Sequence, residues 1–79
     1  MDITIDGKQI VYNDEDESKI TGCVYFLNGY PAMKTKQGGR WQHVYLHRLF
    51  TGARDSQRVR FLNGNRYDLR RSNLAVSNG

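Results

Sequence analysis

The 79-residue chain predicts an α+β fold, a small antiparallel N-terminal sheet followed by a ββα-like motif. Three observations carry the prediction. Asp6-Gly7, Asn28-Gly29 and Gly38-Gly39 separate short runs with strand character, and such pairs supply the positive φ angles that tight hairpins need. Leu46-His47-Arg48-Leu49-Phe50, stopped by Gly52, reads as a short helix. Arg58 to Leu62, turning through Asn63-Gly64-Asn65 and followed by Asp68 to Leu74, reads as a hairpin and then a helix. Residues 1–79 form a single domain, near the lower size limit for a self-sufficient core, mainly β over 1–46 and helix plus ββα-like motif over 47–79.

Taken in order, Ile3 and Ile5 alternate with polar neighbours, as do Ile10 and Tyr12 beyond Asp6-Gly7, giving two hairpin strands. Asn13-Asp14-Glu15-Asp16-Glu17-Ser18 reads either as the capped start of a brief helix, since early carboxylates suit an N-terminus, or as a solvated acidic loop. Three strands follow, Cys23 to Leu27, Tyr30 to Thr35 and Arg40 to Leu46. Pro31 places its strand at a sheet edge or marks where the strand begins. Alternation sends Arg40, Gln42 and Val44 to one face and Trp41, His43 and Tyr45 to the other. In the last third Asp68 is an N-cap candidate, with Leu69 and Leu74 facing the core.

Charge is distributed unevenly. Residues 1–39 hold four lysines against six carboxylates, whereas residues 40–79 hold eight arginines against two aspartates and no lysine. Arginine's planar fork suits bidentate phosphate or carboxylate contacts, so a basic half points to nucleic acid or an acidic protein surface. No apolar run approaches membrane-spanning length, and the N-terminus lacks the pattern of a signal peptide. The single Cys23 can form no internal disulfide, which suits a reducing cytoplasm, and its neighbours Val24-Tyr25-Phe26 suggest a buried thiol.

The stretch Val59-Arg60-Phe61-Leu62-Asn63-Gly64-Asn65-Arg66-Tyr67-Asp68-Leu69-Arg70-Arg71-Ser72-Asn73-Leu74 resembles the core of phage-type HNH homing endonucleases, V-D-H-I-N-G-N-x-x-D-N-R-R-S-N-L. Upstream, Asn13-Asp14-Glu15-Asp16, Gly29-Tyr30 and Val44-Tyr45-Leu46-His47-Arg48-Leu49 match further family segments in order and spacing. The resemblance covers nearly the whole chain. It implies a phage-derived or mobile-element setting and a ββα-metal fold. In that family a histidine acts as general base, the aspartate before it helps to hold a divalent metal, and an asparagine twelve positions on orients the base. Here the base position is Phe61 and the carboxylate position Arg60, while Asn73 keeps the asparagine. Phenylalanine accepts no proton and a guanidinium repels a divalent cation, so the chain reads as a catalytically degenerate member with no metal and no cofactor. His43 and His47 could share a metal only on a helix, and Val44-Tyr45-Leu46 between them reads as a strand entering one. His47 is expected to hydrogen-bond within the scaffold or to touch phosphate.

The stretch from Cys23 to Leu46 is also similar to the β-sheet of plant-type AP2 DNA-binding domains. Together these readings favour non-catalytic binding of double-stranded DNA. Lys34, Lys36 and Arg40 would make contact from the sheet, and Arg58, Arg60, Arg66, Arg70 and Arg71 would grip phosphate. Arg70 and Arg71 at a helix start would oppose the helix dipole, which hints at an anionic partner. The alternative is an inhibitor or regulator that binds an acidic host protein, with Trp41, Tyr45 and Phe61 as interface anchors. A third reading keeps nuclease activity, through other residues or a second subunit.

Overall fold

The computed structural model describes residues 1–78. The chain is α+β, built from three small antiparallel sheets and few helices. Strands β1 (Asp2–Ile5) and β2 (Lys8–Val11) pair through Asp6 and Gly7, both with positive φ (52° and 77°). A 3-10 helix then spans Asp14–Lys19, so the acidic segment is helical but too tightly wound to be an α-helix. Strands β3 (Val24–Leu27), β4 (Tyr30–Gln37) and β5 (Arg40–Tyr45) form the central sheet in that order. Asn28-Gly29 and Gly38-Gly39 make the two-residue turns, with positive φ at every position, the requirement of a type I′ hairpin.

Helix α1 (Leu46–Thr51) follows β5 directly. It ends where Gly52 turns left-handed (φ 70°) and its N–H closes on the Arg48 carbonyl at 2.9 Å. Strand β6 (Gln57–Phe61) pairs with β7 (Leu74–Asn78) across a loop, residues 62–73. Pro31 lies opposite Phe26 in the central strand of its sheet, not at an edge. It is tolerated because it sits second in β4, and pairing with β5 stops at Ala32–Tyr45.

The expected helix from Asp68 to Leu74 is not formed. Only Arg71–Asn73 make a 3-10 turn, and Leu74 opens a strand. The reason is long-range. Val11 donates to the Tyr67 carbonyl at 3.0 Å and accepts from the Leu69 N–H at 2.7 Å, so Asp68 bridges in parallel to the end of β2. A backbone spent on that edge cannot make helical hydrogen bonds. Leu69 is nonetheless buried and Leu74 half-buried, as their hydrophobicity demands. Cys23 precedes β3 and is exposed, because the strand's inward alternation starts one residue later at Val24.

No sheet this small is stable alone, and the three share one core. Ile10 from β2, Met33 from β4, Leu46 and Phe50 from α1, Leu69 from the loop and Tyr12 are buried together. Val24, Phe26 and Val44 cover it from the inner face of the central sheet. The outer face of that sheet is open around Lys34, Lys36 and Trp41, whereas Ala32 on the same face is buried and Tyr30 and Tyr45 pack against Phe61 and His47.

Candidate nucleic-acid interface

The 62–73 loop is held by its own polar side chains. Asn73, nearly buried, donates through Nδ2 to the Asp68 carbonyl (3.0 Å) and accepts from the Asn63 N–H (2.9 Å). Asn63 donates through Nδ2 to the Asp68 carboxylate at 3.0 Å and accepts the Asn65 N–H at 2.8 Å. Thus Asn73 fastens the loop, and both of its amide groups are used within the protein.

Arg70 and Arg71 are anchored in the same way. Arg70 grips Asp68 through Nε (2.8 Å) and Nη2 (2.7 Å), and Arg71 grips the fully buried Asp16 through Nε (3.1 Å) and Nη2. Lys19 adds a 3.0 Å contact to Asp16, and the Arg71 N–H donates to Asn13 Oδ1 at 2.7 Å. Hydrogen bonds from Arg71 hold the Asp16 carboxyl below the usual carboxylate range, and those from Arg70 do the same for Asp68. With no α-helix at 68–74 these arginines oppose no helix dipole, and each answers a buried carboxylate of the fold. About half of each side chain stays exposed.

The remaining cations fall into groups. Arg58 and Arg60 are exposed on β6, and Arg60 joins Arg66 and Arg48 around a cleft of about 500 Å³. The Arg66 guanidinium lies 4.8 Å from the Tyr30 ring centre. It also crosses Gly29, where an added Cβ would stand 2.7 Å from Nη1. No carboxylate lines this cleft among the described residues. Lys34 and Lys36 are exposed on the outer face of the central sheet with Trp41, whereas the register puts Arg40 opposite Gln37, on the other face. The structure thus brings Arg60 and Arg66 together and leaves Arg40 apart from Lys34 and Lys36.

The floor of the cleft is aromatic. Phe61 stacks on Tyr30 (centres 6.0 Å apart) and meets His47 edge-on (5.2 Å), while Tyr45 stacks on His47 at 5.3 Å. Of the three aromatic anchors read from the sequence, Phe61 is half-buried and Tyr45 accepts a hydrogen bond from Asn28 at 3.0 Å. Trp41, 66% exposed, is the most open of the three. His43 lies on β5, sharing a hydrogen bond with the Tyr25 hydroxyl, and His47 lies on α1, so the two are not on one helix. No cluster of three or more His, Cys, Asp or Glu side chains suited to a metal occurs among the described residues.

Among the described residues the buried His47 Nδ1 has no hydrogen-bond partner. Burial, with a smaller push from Arg48, lowers its pKa from 6.5 to about 4. The ring is neutral at pH 7. Because the folded value is the lower one, the unfolded chain takes up the proton first as pH falls. Stability from this group is complete above pH 6.5 and drains away between 6.5 and about 4. Denaturant titrations should lose about 2 to 3 kcal/mol between pH 7 and 4.5. The depressed Asp16 and Asp68 add their own loss only below the ordinary aspartate range. Stability unchanged from pH 7 to 4.5 would mean that the ring is hydrated.

Arg48 has a role that the sequence did not reveal. Its guanidinium donates to the Arg54 (3.0 Å) and Gln57 (2.8 Å) carbonyls, tying α1 to the start of β6. Nothing in the local sequence marks carbonyls as its partners. Comparison of the chain with protein-family models, curated proteins and solved structures gives no match, so the HNH resemblance rests on the motif residues alone. No helix among the described residues is long and apolar enough to cross a membrane.

Proposed function

We propose that the chain is a non-catalytic binder of double-stranded DNA, gripping the phosphate backbone with Arg58, Arg60 and Arg66. The observation that carries this reading is the cleft bordered by Arg48, Arg60 and Arg66, with no carboxylate among the described residues that line it. An unopposed guanidinium pair above aromatic walls suits a phosphate diester and disfavours a divalent cation. In the HNH resemblance this is the catalytic position, and Arg60 there offers the positive charge a metal would bring. Phe61 beside it offers no lone pair to a water molecule. Non-catalytic binding is the reading that follows from those two side chains.

The test is a titration of fluorescently labelled duplex with wild type and with Arg58→Ala/Arg60→Ala/Arg66→Ala at several salt concentrations. Each phosphate contact contributes about 0.9 to the slope of log affinity against log salt, so the triple variant should flatten that slope by about 2 to 3. Uniform weakening across unrelated duplex sequences is expected, because phosphate contacts carry no base information. Absence of wild-type binding even at low salt would overturn the proposal. Binding that ignores salt would point to the acidic-protein alternative, anchored by Trp41.

A further inference from the structure

We propose that the outer face of the central sheet is a second site, which takes an unpaired nucleobase stacked on Trp41 with its phosphates on Lys34 and Lys36. This deepens the nucleic-acid reading and rests on it. The register sets Lys36 directly opposite Trp41 and Lys34 opposite His43. The Lys36 ammonium lies 6.0 Å from the Trp41 ring centre, so cation and indole already share one surface. Beside them opens a hollow of about 640 Å³, bordered by Tyr25, Lys34, Lys36, Trp41, Gly22 and Cys23. It holds no carboxylate, and neither lysine makes an ion pair among the described residues.

The occupant follows from the chemistry of this face. An acidic peptide would satisfy the lysines but leave a flat indole without a planar partner. A duplex keeps its base faces stacked inside the helix and offers the indole only edges. An unpaired base has both a π-face for Trp41 and a phosphate for the lysines. The geometry also continues toward the arginine cleft. Trp41, His43 and Tyr45 share one face of β5, and alternate residues on a strand are spaced by roughly 6.5 to 7 Å. Tyr45, with Tyr30 opposite the end of β3, lines the arginine cleft as well. A strand leaving a duplex held by Arg60 and Arg66 would therefore meet aromatic rings at regular steps until it reaches Trp41. Tyr25, meeting His43 edge-on with centres 5.7 Å apart, stiffens the middle of this path.

Trp41 is the only tryptophan, so its emission reports on this face alone. The experiment titrates the full chain with a twelve-residue oligothymidylate, an abasic oligonucleotide of equal length, polyglutamate and a labelled duplex. Oligothymidylate should quench Trp41, and the abasic strand and polyglutamate should not. Trp41→Leu, followed by anisotropy of a labelled oligothymidylate, should weaken its binding about tenfold or more. Lys34→Ala/Lys36→Ala should weaken the oligothymidylate at least about fivefold more than the duplex, and Arg60→Ala/Arg66→Ala should weaken the duplex more than the oligothymidylate. Normal duplex binding without quenching by oligothymidylate would overturn this site and leave the duplex reading standing. Failure of both ligands would remove both readings. Equal quenching by the abasic strand or polyglutamate would show a surface that senses charge only, and would overturn base recognition.

Discussion

Replacing Asp68 by alanine is expected to destabilise the domain by about 2 to 3 kcal/mol. Its carboxylate is 5% exposed and accepts from Arg70 Nε and Nη2, from Asn63 Nδ2 and, at 3.3 Å, from the Arg70 N–H. Charge-assisted hydrogen bonds are each worth about 1.5 to 3 kcal/mol, part of which offsets the carboxylate's own desolvation. Loss of one partner from a fully buried ion pair costs about 3 to 5 kcal/mol, but Arg70 is half-exposed and can return to water. Small domains have only about 5 to 15 kcal/mol in hand, so the melting temperature should fall by roughly 10 to 20 °C. Asp68→Asn keeps the shape and two acceptor lone pairs, and should recover part of the loss. Thermal melts of both variants decide the matter. A shift of only a degree or two for the alanine variant would show that the loop is held by its backbone bonds to Val11 instead.

Phe61→Ala should remove about 2 to 3 kcal/mol as well, and should also change the chemistry of a neighbour. Deleting a fully buried phenylalanine costs about 3 to 5 kcal/mol, and Phe61 is half-buried. Its ring is one wall of the box around His47, with Tyr30 and Tyr45 as others. Burial is the main cause of the low His47 pKa, so water admitted through the missing wall should raise it from about 4 toward 6.5. NMR titration of the imidazole carbon-bound protons reads this directly. Phe61→Leu should keep the ring dry and the value low. A His47 pKa that stays near 4 in the alanine variant would assign its burial to the two tyrosines.

The parts of the fold legible in the sequence are those fixed by neighbours along the chain. Asp6-Gly7, Asn28-Gly29 and Gly38-Gly39 sit in the two-residue turns expected of them, and Gly52 stops α1 where the reading placed it. The loop from 62 to 73 was not legible, because its conformation depends on Val11, Asn13 and Asp16, more than fifty residues away. Asp68 resembles a helix cap locally, yet its carboxylate serves Arg70 and Asn63. The same blindness affected the candidate site. Formal charge counts Arg70 and Arg71 as surplus cations, but burial of Asp16 and Asp68, invisible in composition, gives each arginine a partner. Arg60 and Arg66, by contrast, make no ion pair among the described residues, and the alternation that separated Arg40 from Trp41 was readable from strand period alone.

The clip between Arg71 and Asp16 has a kinetic consequence. Each of the first three hairpins closes over two residues, a local event on the microsecond scale that needs nothing from the rest of the chain. Pairing of β6 with β7 must first close the loop 62–73, and the clip spans fifty-five positions. Loop-closure entropy rises with that separation, so these contacts belong late in assembly, after the hairpins have gathered around Leu46 and Phe50. Interactions made late act chiefly as a latch on the finished molecule. They slow its opening while contributing little to the speed at which it forms.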